Sequence, residues 1–275
     1  APFTPSPVAP WLSAPAATPK AAPQAVPGKK ALRENWPASK PLKRKPKAPD
    51  SLPPLAPAEK RWTPKAEAKF PDDPERLEVV KRLGGSTGAE LVKDSAGVLY
   101  VRKRGASPEH VQEEVYSDAA YRALGVRVPE MRLYKDANGN PIKLARFIEG
   151  KTLGELPKTS AAYKDAVKKI QGNLAADALM GNRDAVGASF DNVLIDKDGE
   201  VWRIDNGGGL RFRGMGGRKT DEEWDGNLDM LWTLRDKKFA NNHAVYGDAD
   251  YGDIVAQMSD LTSPSRRAAL LAVLP

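Results

Sequence analysis

Proline density divides the chain into two parts that must fold differently. Of its 24 prolines, 18 fall between Pro2 and Pro74. Each proline ring fixes φ and removes a backbone N–H donor, so neither a helix nor a central strand can persist through such a stretch. We therefore predict an extended arm without a globular fold over residues 1–74, followed by one globular domain over residues 75–275.

The charges divide at the same boundary. Residues 1–74 carry 13 Lys or Arg against 6 Asp or Glu, which accounts for the net charge of +7, whereas residues 75–275 balance 30 against 30. The densest basic stretch, Lys40–Lys47, could contact an acidic protein surface, an anionic membrane or nucleic-acid phosphates. It lacks the aromatic spacing of a base-stacking platform. A solvated linker or wrapping arm is the favoured interpretation.

The residue inventory excludes several kinds of site. The chain has no cysteine, which rules out disulfides, cysteine nucleophiles and thiolate metal sites. His110 and His243 are its only histidines, which disfavours a histidine zinc site or a Ser-His-Asp triad. No apolar run approaches the roughly 18 residues of a membrane span, and the first residues lack the pattern of a signal peptide. We expect a soluble protein, and its compartment is left open.

The first half of the predicted domain is rich in strands. The runs LEVVKRL, AELVKD and VLYVRKR alternate as strands do and predict a three-stranded antiparallel meander. A helix follows, with Ser107 as N-cap, Pro108 in its first turn and Gly125 closing it. The segment MRLYKDANGNPIKLARFI then predicts a hairpin that turns at Asn138 and Gly139.

The second half is predicted to be largely helical. One helix is expected over residues 163–180, ended by Gly181, and it should bury one apolar face made of Ala166, Ile170, Leu174 and Ala178. A short hairpin, NVLI and EVWRI, follows. Further helices are expected near residues 228–234 and 254–258, and the stretch 221–236 should pack Trp224, Leu228, Leu231 and Trp232 into the core. The fold class is α+β.

Two features of the strand-rich half could bind phosphate. The turn LGGSTGAE can expose backbone N–H groups because glycine has no Cβ, although an ordinary hairpin turn explains it too, and it is not a Walker A loop. Lys103 ends the strand that follows the turn, where an ammonium could reach two phosphates and pair with Glu113 or Glu114. Helical periodicity leaves both glutamates open, and a surface lysine is the simpler alternative.

Two features of the second half could bind an acceptor and a metal. In GNRDAVGASFDNVLID, Asp184 follows a helix and could orient an acceptor hydroxyl, whereas Asn192 could give Mg²⁺ a neutral oxygen ligand. A loop held by Asx turns is the alternative. Asp205 ends the strand VWRID before a glycine-rich turn. Because one hairpin joins Asn192 to Asp205, we expect both oxygen ligands at the same end of a small sheet.

In this order the features resemble the protein-kinase-like superfamily, in particular the atypical bacterial branch related to HipA and the phosphatidylinositol kinases, over roughly residues 78–240. The resemblance implies a two-lobed kinase-like fold behind the Pro-rich arm. The β-rich N-lobe would span about residues 75–148 and the α-rich C-lobe about residues 149–275. It also implies ATP and Mg²⁺ as ligands.

The resemblance further implies a role for individual residues. Lys103 would bind phosphates and pair with Glu114, Asp184 would be the catalytic aspartate, and Asn192 and Asp205 would hold the metal. The phosphate-covering loop would comprise Gly84, Gly85, Ser86, Thr87 and Gly88. The adenine would meet the backbone of Arg146, Phe147, Ile148 and Glu149.

Several positions depart from the pattern of ordinary protein kinases. NRD replaces HRD, DNG replaces DFG, and Asp184 precedes Asn192 by eight residues where those kinases use five. No APE-like segment follows, so a phosphorylation-switched activation segment is not expected. Transfer of AMP, rather than of a phosphoryl group, stays open.

The leading functional prediction is an ATP- and Mg²⁺-dependent kinase that acts on a protein hydroxyl. Because residue 1 is alanine, it could be an effector or toxin domain released from a longer chain. The alternative is a catalytically silent kinase-like body that serves as an assembly component, tethered by its arm to a virion or another large particle. Nucleic-acid binding by the arm is a third, weaker prediction.

Overall fold

The computed structural model describes residues 69–84, 88–221, 223 and 229–274. All of these residues belong to one compact unit, Pro54–Pro275. Most of the predicted arm, residues 1–68, lies outside the described residues.

The strand-rich half forms one antiparallel sheet with the strand order β1-β2-β3-β5-β4. Its strands are β1 (Glu78–Arg82), β2 (Glu90–Lys93), β3 (Leu99–Lys103), β4 (Met131–Lys135) and β5 (Pro141–Arg146). The predicted meander and the hairpin are both confirmed, and Gly139 takes the positive φ of 82° that its turn requires. The β3–β5 register places Lys103 opposite Lys143, and cross-strand neighbours of this kind share one face of a sheet.

Helix α1 (Pro108–Ala123) lies against β4 and β5. The Ser107 hydroxyl caps it by accepting the N–H of His110 at 3.1 Å, and Gly125 leaves it with φ 83°, as predicted. Its buried face is polar, and it includes His110, Glu113, Glu114, Ser117 and Asp118. Helices usually bury an apolar stripe, so this face has to find polar partners inside the protein.

The second half combines helices with a small antiparallel sheet of order β6-β7-β8. The strands are β6 (Gly150–Thr152), β7 (Val193–Asp196) and β8 (Val201–Arg203). The helices are α2 (Ala161–Gln171), α3 (Leu174–Leu179), α4 (Met230–Thr233), α5 (Ala240–Tyr246), α6 (Tyr251–Leu261) and α7 (Pro264–Leu271). Within the described ranges, none of the helices is long and apolar enough to cross a membrane. The mixed α+β class is confirmed.

Two of the helix predictions are wrong in detail. The single helix expected over residues 163–180 is two helices. Helix α2 ends with Gly172 as its C-cap, and α3 begins after Asn173, which is its N-cap. The four residues predicted to share its buried face nevertheless lie in one apolar cluster. Leu231 packs against that cluster, but Trp232 is 62% exposed and is not a core residue. Trp224 and Leu228 lie outside the described residues.

A second apolar cluster joins α1 to the helical half. Tyr121 and Leu124 from the end of α1 pack with Ala176 of α3, with Met180 and with Leu210. The same helix that covers the large sheet therefore also forms part of the core of the helical half. This double attachment fixes α1 relative to both sheets.

Residues 69–74 fall within the predicted arm, and they pack on the large sheet. The ring of Phe70 lies 5.8 Å from that of Tyr100 and beneath the Arg146 guanidinium. The Tyr134 hydroxyl donates to the carbonyl of Pro71 at 2.5 Å. Pro74 is buried. Proline disfavours a helix or a central strand, but an extended segment that contains proline can still pack on a sheet. Such packing needs only side-chain contacts and backbone carbonyls that act as acceptors.

We expect Phe70→Ala in the full chain to lower the free energy of unfolding by about 2 kcal/mol, roughly half the cost of deleting a fully buried phenyl ring. Chemical denaturation measures this loss. Met215→Ala is the control, because Met215 is 81% exposed and its loss should cost no more than about 0.5 kcal/mol. Equal stability of the two variants would show that residues 69–74 do not belong to the folded body.

Candidate active site

A buried lysine joins three elements of the fold at one point. Lys103 Nζ lies 2.7 Å from Glu114 Oε2 on α1 and 3.1 Å from Asp205 Oδ1, just beyond β8. The side chains of Lys103 and Glu114 are 7% and 1% exposed, whereas that of Asp205 is 40% exposed. Burial by itself would lower the pKa of Lys103, but the two carboxylates outweigh it and raise that pKa. The ammonium is therefore charged, and one of its two carboxylate partners, Asp205, is partly exposed to solvent.

The structure decides between the two glutamates that periodicity left open. Glu114 faces Lys103, whereas the neighbouring Glu113 accepts two N–H groups of the Arg211 guanidinium at 2.9 and 2.7 Å. Glu113 also accepts the main-chain N–H of Arg211 at 3.1 Å. It therefore holds the segment that follows Asp205, and Glu114 is the lysine partner.

The β7–β8 hairpin brings Asn192 and Asp205 to the same end of the small sheet, as predicted. Val193 is the register partner of Arg203, and the N–H of Ile204 donates to the carbonyl of Asn192 at 3.1 Å. Asp205 Oδ1 accepts the N–H of Gly207 at 3.2 Å, which sets the direction of its carboxylate. The hairpin thus carries Asn192 just before β7 and Asp205, which contacts Lys103, just after β8.

Asp184 lies in the loop before this hairpin, next to Asn192. The loop takes two consecutive turns, Gly187 N–H to Asp184 O at 3.1 Å and Phe190 N–H to Gly187 O at 3.4 Å. The eight-residue spacing between Asp184 and Asn192 does not separate them in space, because these turns fold the loop back on itself. The Asn192 side-chain N–H donates to the Asp184 carbonyl at 2.7 Å. Burial, and then the charge of Asp205, raise the pKa of the Asp184 carboxyl.

The predicted phosphate-covering loop, residues 84–88, is only partly described. Gly85, Ser86 and Thr87 lie outside the described residues. A Cβ at Gly84 or at Gly88 would meet nothing within 4 Å, so both border open space.

Two main-chain donors of the predicted adenine-binding stretch, residues 146–149, bond to neighbouring segments. The main-chain N–H of Arg146 donates to the Glu130 carbonyl at 2.7 Å, and that of Phe147 donates to the Leu99 carbonyl at 3.1 Å. The Arg146 guanidinium lies over the Tyr100 ring. These two main-chain N–H groups are therefore already paired within the protein, whereas the predicted contact between the backbone of residues 146–149 and the adenine stays a prediction.

A glycine-rich segment fits tightly between α1 and Asp184. A Cβ at Gly209 would overlap the Ser117 hydroxyl, and one at Gly214 would overlap the Asp184 carboxylate. Residues 206–219 contain no Ser, Thr or Tyr. The segment thus has no hydroxyl to phosphorylate, and the Arg211 ion pair holds it instead. Thr220 is the first hydroxyl-bearing residue after the segment, and the absence of a phosphorylation switch stays a prediction.

A cavity of about 280 Å³ opens beside Asp184 on the side of this segment. Lys219 closes its floor by donating to the carbonyls of Gly181, Gly208 and Leu210 at 2.6–2.9 Å. The cavity is lined by Gly181, Arg183, Asp184, Gly208, Arg213, Gly214, Lys219, Glu223 and Met230. A second cavity, of about 310 Å³, borders Asp184 on the side of Gly187 and Phe239, so either space could receive part of an acceptor.

The sequence reasoning missed several buried polar groups around the site. Lys143 lies beside Lys103 and contacts Glu114 at 2.8 Å and also Asp118. Asn206 donates to Asp118 at 2.8 Å. The sequence could have indicated Asp118, because it follows Glu114 by one helical turn and therefore lies on the same face of the helix. Lys143 had a weaker signal, a lone charge inside the apolar strand PIKLAR.

A second buried network supports the loop that carries Asp184. Asp177 is fully buried and contacts Arg203 at 2.5 Å, and it also accepts the hydroxyl groups of Tyr121 and Tyr246. Asn182 donates to the Tyr121 hydroxyl at 3.1 Å and accepts the N–H of Asp184 at 3.1 Å. The asparagine of NRD therefore links Asp184 to the core of the helical half.

Comparisons with known proteins give little beyond the fold described above. No family model and no curated protein sequence matches the chain. Among solved structures, the chain is similar to the Helicobacter pylori proinflammatory kinase CtkA, with 16% identity, a TM-score of 0.41, and coverage of 72% of this chain and 90% of that chain. The chemistry of this chain therefore has to be derived from its own side chains, and the HipA-related branch stays a prediction.

We expect Gly209→Ala to lower the free energy of unfolding by about 1–3 kcal/mol, because an added methyl group overpacks the interior. Ser117→Ala should cost little, since the Ser117 hydroxyl is buried without a hydrogen-bond partner in the described part of the chain. Combining Ser117→Ala with Gly209→Ala should recover most of the loss, which a double-mutant cycle of unfolding free energies measures. Additive effects would contradict the tight fit.

We expect Asp184→Asn to raise the Tm at pH 7 without ligands, because it removes a carboxylate whose pKa burial and Asp205 raise. A raised pKa means that ionised Asp184 costs stability above the folded-state pKa. The cost disappears as the pH falls below the unfolded value of about 3.9, where both states are protonated. Calorimetric scans at pH 7 and near that value check this, and a gain that is the same at both pH values would contradict it.

Proposed function

We propose that this protein is an ATP- and Mg²⁺-dependent phosphotransferase with a two-lobed kinase-like fold, acting as an atypical protein kinase. The observation that carries the proposal is the contact of buried Lys103 with both Glu114 and Asp205. The third member, Asp205, is 40% exposed and turns the charge cluster towards solvent.

The Lys103 ammonium suits the phosphate oxygens of a metal-bound triphosphate, and the Asp205 carboxylate suits its metal ion. The Lys103 ammonium has three N–H donors. It donates to Asp205 at 3.1 Å and lies 2.7 Å from the Glu114 carboxylate. Phosphate oxygens that approach from the exposed side of Asp205 can compete for the donor now given to Asp205. Glu114 then keeps the ammonium in place.

Asn192 and Asp205 are the residues that would hold Mg²⁺. One amide oxygen and one carboxylate fit this ion, which binds through one or two carboxylates and completes its shell with waters and substrate phosphates. When bound, the ion would neutralise charge on the phosphates.

Asp184 is the proposed acceptor-binding carboxylate. Its raised pKa and its place beside the cavity suit a group that accepts the proton of an incoming hydroxyl. In the proposed reaction a bond forms between the acceptor oxygen and the γ-phosphorus, the bond to the β–γ bridging oxygen breaks, and ADP leaves. Transfer of AMP would use the same residues and is distinguished by the product. The assembly role stays a prediction, because its arm lies largely outside the described residues.

We expect ATP with Mg²⁺ to raise the free energy of unfolding of the parent protein by about 2.7 kcal/mol at 100 times the dissociation constant. Asp205→Asn and Lys103→Met should lose most of this gain, because each removes one end of the proposed triphosphate site. Asp184→Asn should keep the gain but lose transfer of label from γ-labelled ATP. Thermal shift assays and labelling of a generic protein acceptor measure the two effects.

The matched control is Asp198→Asn, an exposed carboxylate in the turn at the other end of the β7–β8 hairpin. It should behave as the parent in both assays. The assignment of roles is overturned if Asp205→Asn binds ATP and Mg²⁺ as the parent does, or if Asp184→Asn labels the acceptor at the parent rate.

A further inference from the structure

A second lysine is buried beside the first. Lys143 on β5 is the register partner of Lys103 on β3, and its side chain is 6% exposed. It contacts Glu114 Oε1 at 2.8 Å, so the two oxygens of one carboxylate each face a different lysine. Its other partner is Asp118, which lies one turn further along α1.

Asp118 continues the network to the residue that follows Asp205. Asp118 Oδ1 accepts the side-chain N–H of Asn206 at 2.8 Å, while its other oxygen faces Lys143. Asn206 is 1% exposed, and its carbonyl accepts the N–H of Gly209 at 3.0 Å. A continuous chain of contacts thus runs from the large sheet, through α1, to the turn that directs the Asp205 carboxylate.

The charges of this buried cluster balance. Lys103 and Lys143 face Glu114 and Asp118, and each of the four side chains is at most 7% exposed. Burial raises the pKa of Asp118, the charge of Lys143 opposes this, and the charge of Glu114 adds to it. Without Lys143, two buried carboxylates would share one ammonium, which is a costly arrangement in a desolvated site.

We propose that Lys143 and Asp118 are positioning residues, which hold Asn206 and thereby fix the Asp205 carboxylate beside Lys103 before any nucleotide binds. Asp118 supplies the hydrogen-bond acceptor for Asn206, and Lys143 supplies the charge that lets a buried aspartate stay ionised. The functional half of this inference rests on the proposed function, whereas the structural half can be tested without nucleotide.

Two charge-balanced double variants isolate the contact to Asn206. Lys143→Met with Asp118→Asn removes both charges but keeps a side-chain oxygen that can accept from Asn206. Lys143→Met with Asp118→Leu removes the same charges and the acceptor together. The two proteins differ in the one hydrogen bond under test, so a role in charge compensation alone predicts that they behave alike.

The first measurement is amide hydrogen exchange over residues 205–210 in the full chain without nucleotide. These amides include those of Gly207 and Gly209, which are hydrogen-bonded within the turn. We expect exchange in the leucine double variant to be about tenfold faster than in the asparagine double variant, the factor for losing one buried hydrogen bond. Equal exchange in the two variants would overturn the inference, whatever the protein catalyses.

The second measurement is the affinity for ATP with Mg²⁺. We expect about tenfold weaker binding for the leucine double variant than for the asparagine one. Lys135→Met, an exposed lysine at the end of β4, is the control and should match the parent in both measurements. If the parent itself binds no nucleotide, the proposed function fails, while the exchange comparison still decides the positioning role. If both double variants bind as tightly as the parent, the functional half of the inference fails.

Discussion

The buried ion pair between Lys103 and Glu114 is the contact on which the arrangement of this protein depends. Both charges are removed from water, and separating them would leave Glu114 with Lys143 alone and Lys103 with the part-exposed Asp205 alone, which is unfavourable for buried charges. Strand β3 and helix α1 must therefore keep the relative position that the pair requires. Because Asp205 meets the same ammonium, the end of β8 is held to this point as well.

Helix α1 carries the matching half of almost every contact around the site. Three of its carboxylates face other elements of the fold: Glu113 faces Arg211, and Glu114 faces both buried lysines. Asp118 contacts Lys143 with one oxygen and accepts directly from Asn206 with the other. The beginning of the helix is thus fixed by charge and its end by the apolar cluster around Tyr121. The charged contacts fix which side chains face each other, and the apolar contacts hold the helix against the helical half. The proposed chemistry requires both.

The segment after Asp205 is held by close packing rather than by a modification. Its glycines touch α1 and Asp184 where any side chain would collide. Leu210 takes a φ of 52°, a conformation that costs energy in a residue with a Cβ, and its N–H donates to the Met180 carbonyl at 2.7 Å. Strain of this kind persists only where the surroundings determine the backbone. A site held this way is assembled before its ligand arrives.

The sequence by itself determined the elements whose signals act over a few residues. The Ser107 cap, the glycines that end turns and the hairpin that joins Asn192 to Asp205 are readable because their partners are near in the chain. Tertiary structure decided which glutamate meets Lys103, that Lys143 is buried, and that Arg146 serves the sheet. The physical reason is that pairing and burial depend on distances in space, between residues that the sequence keeps far apart.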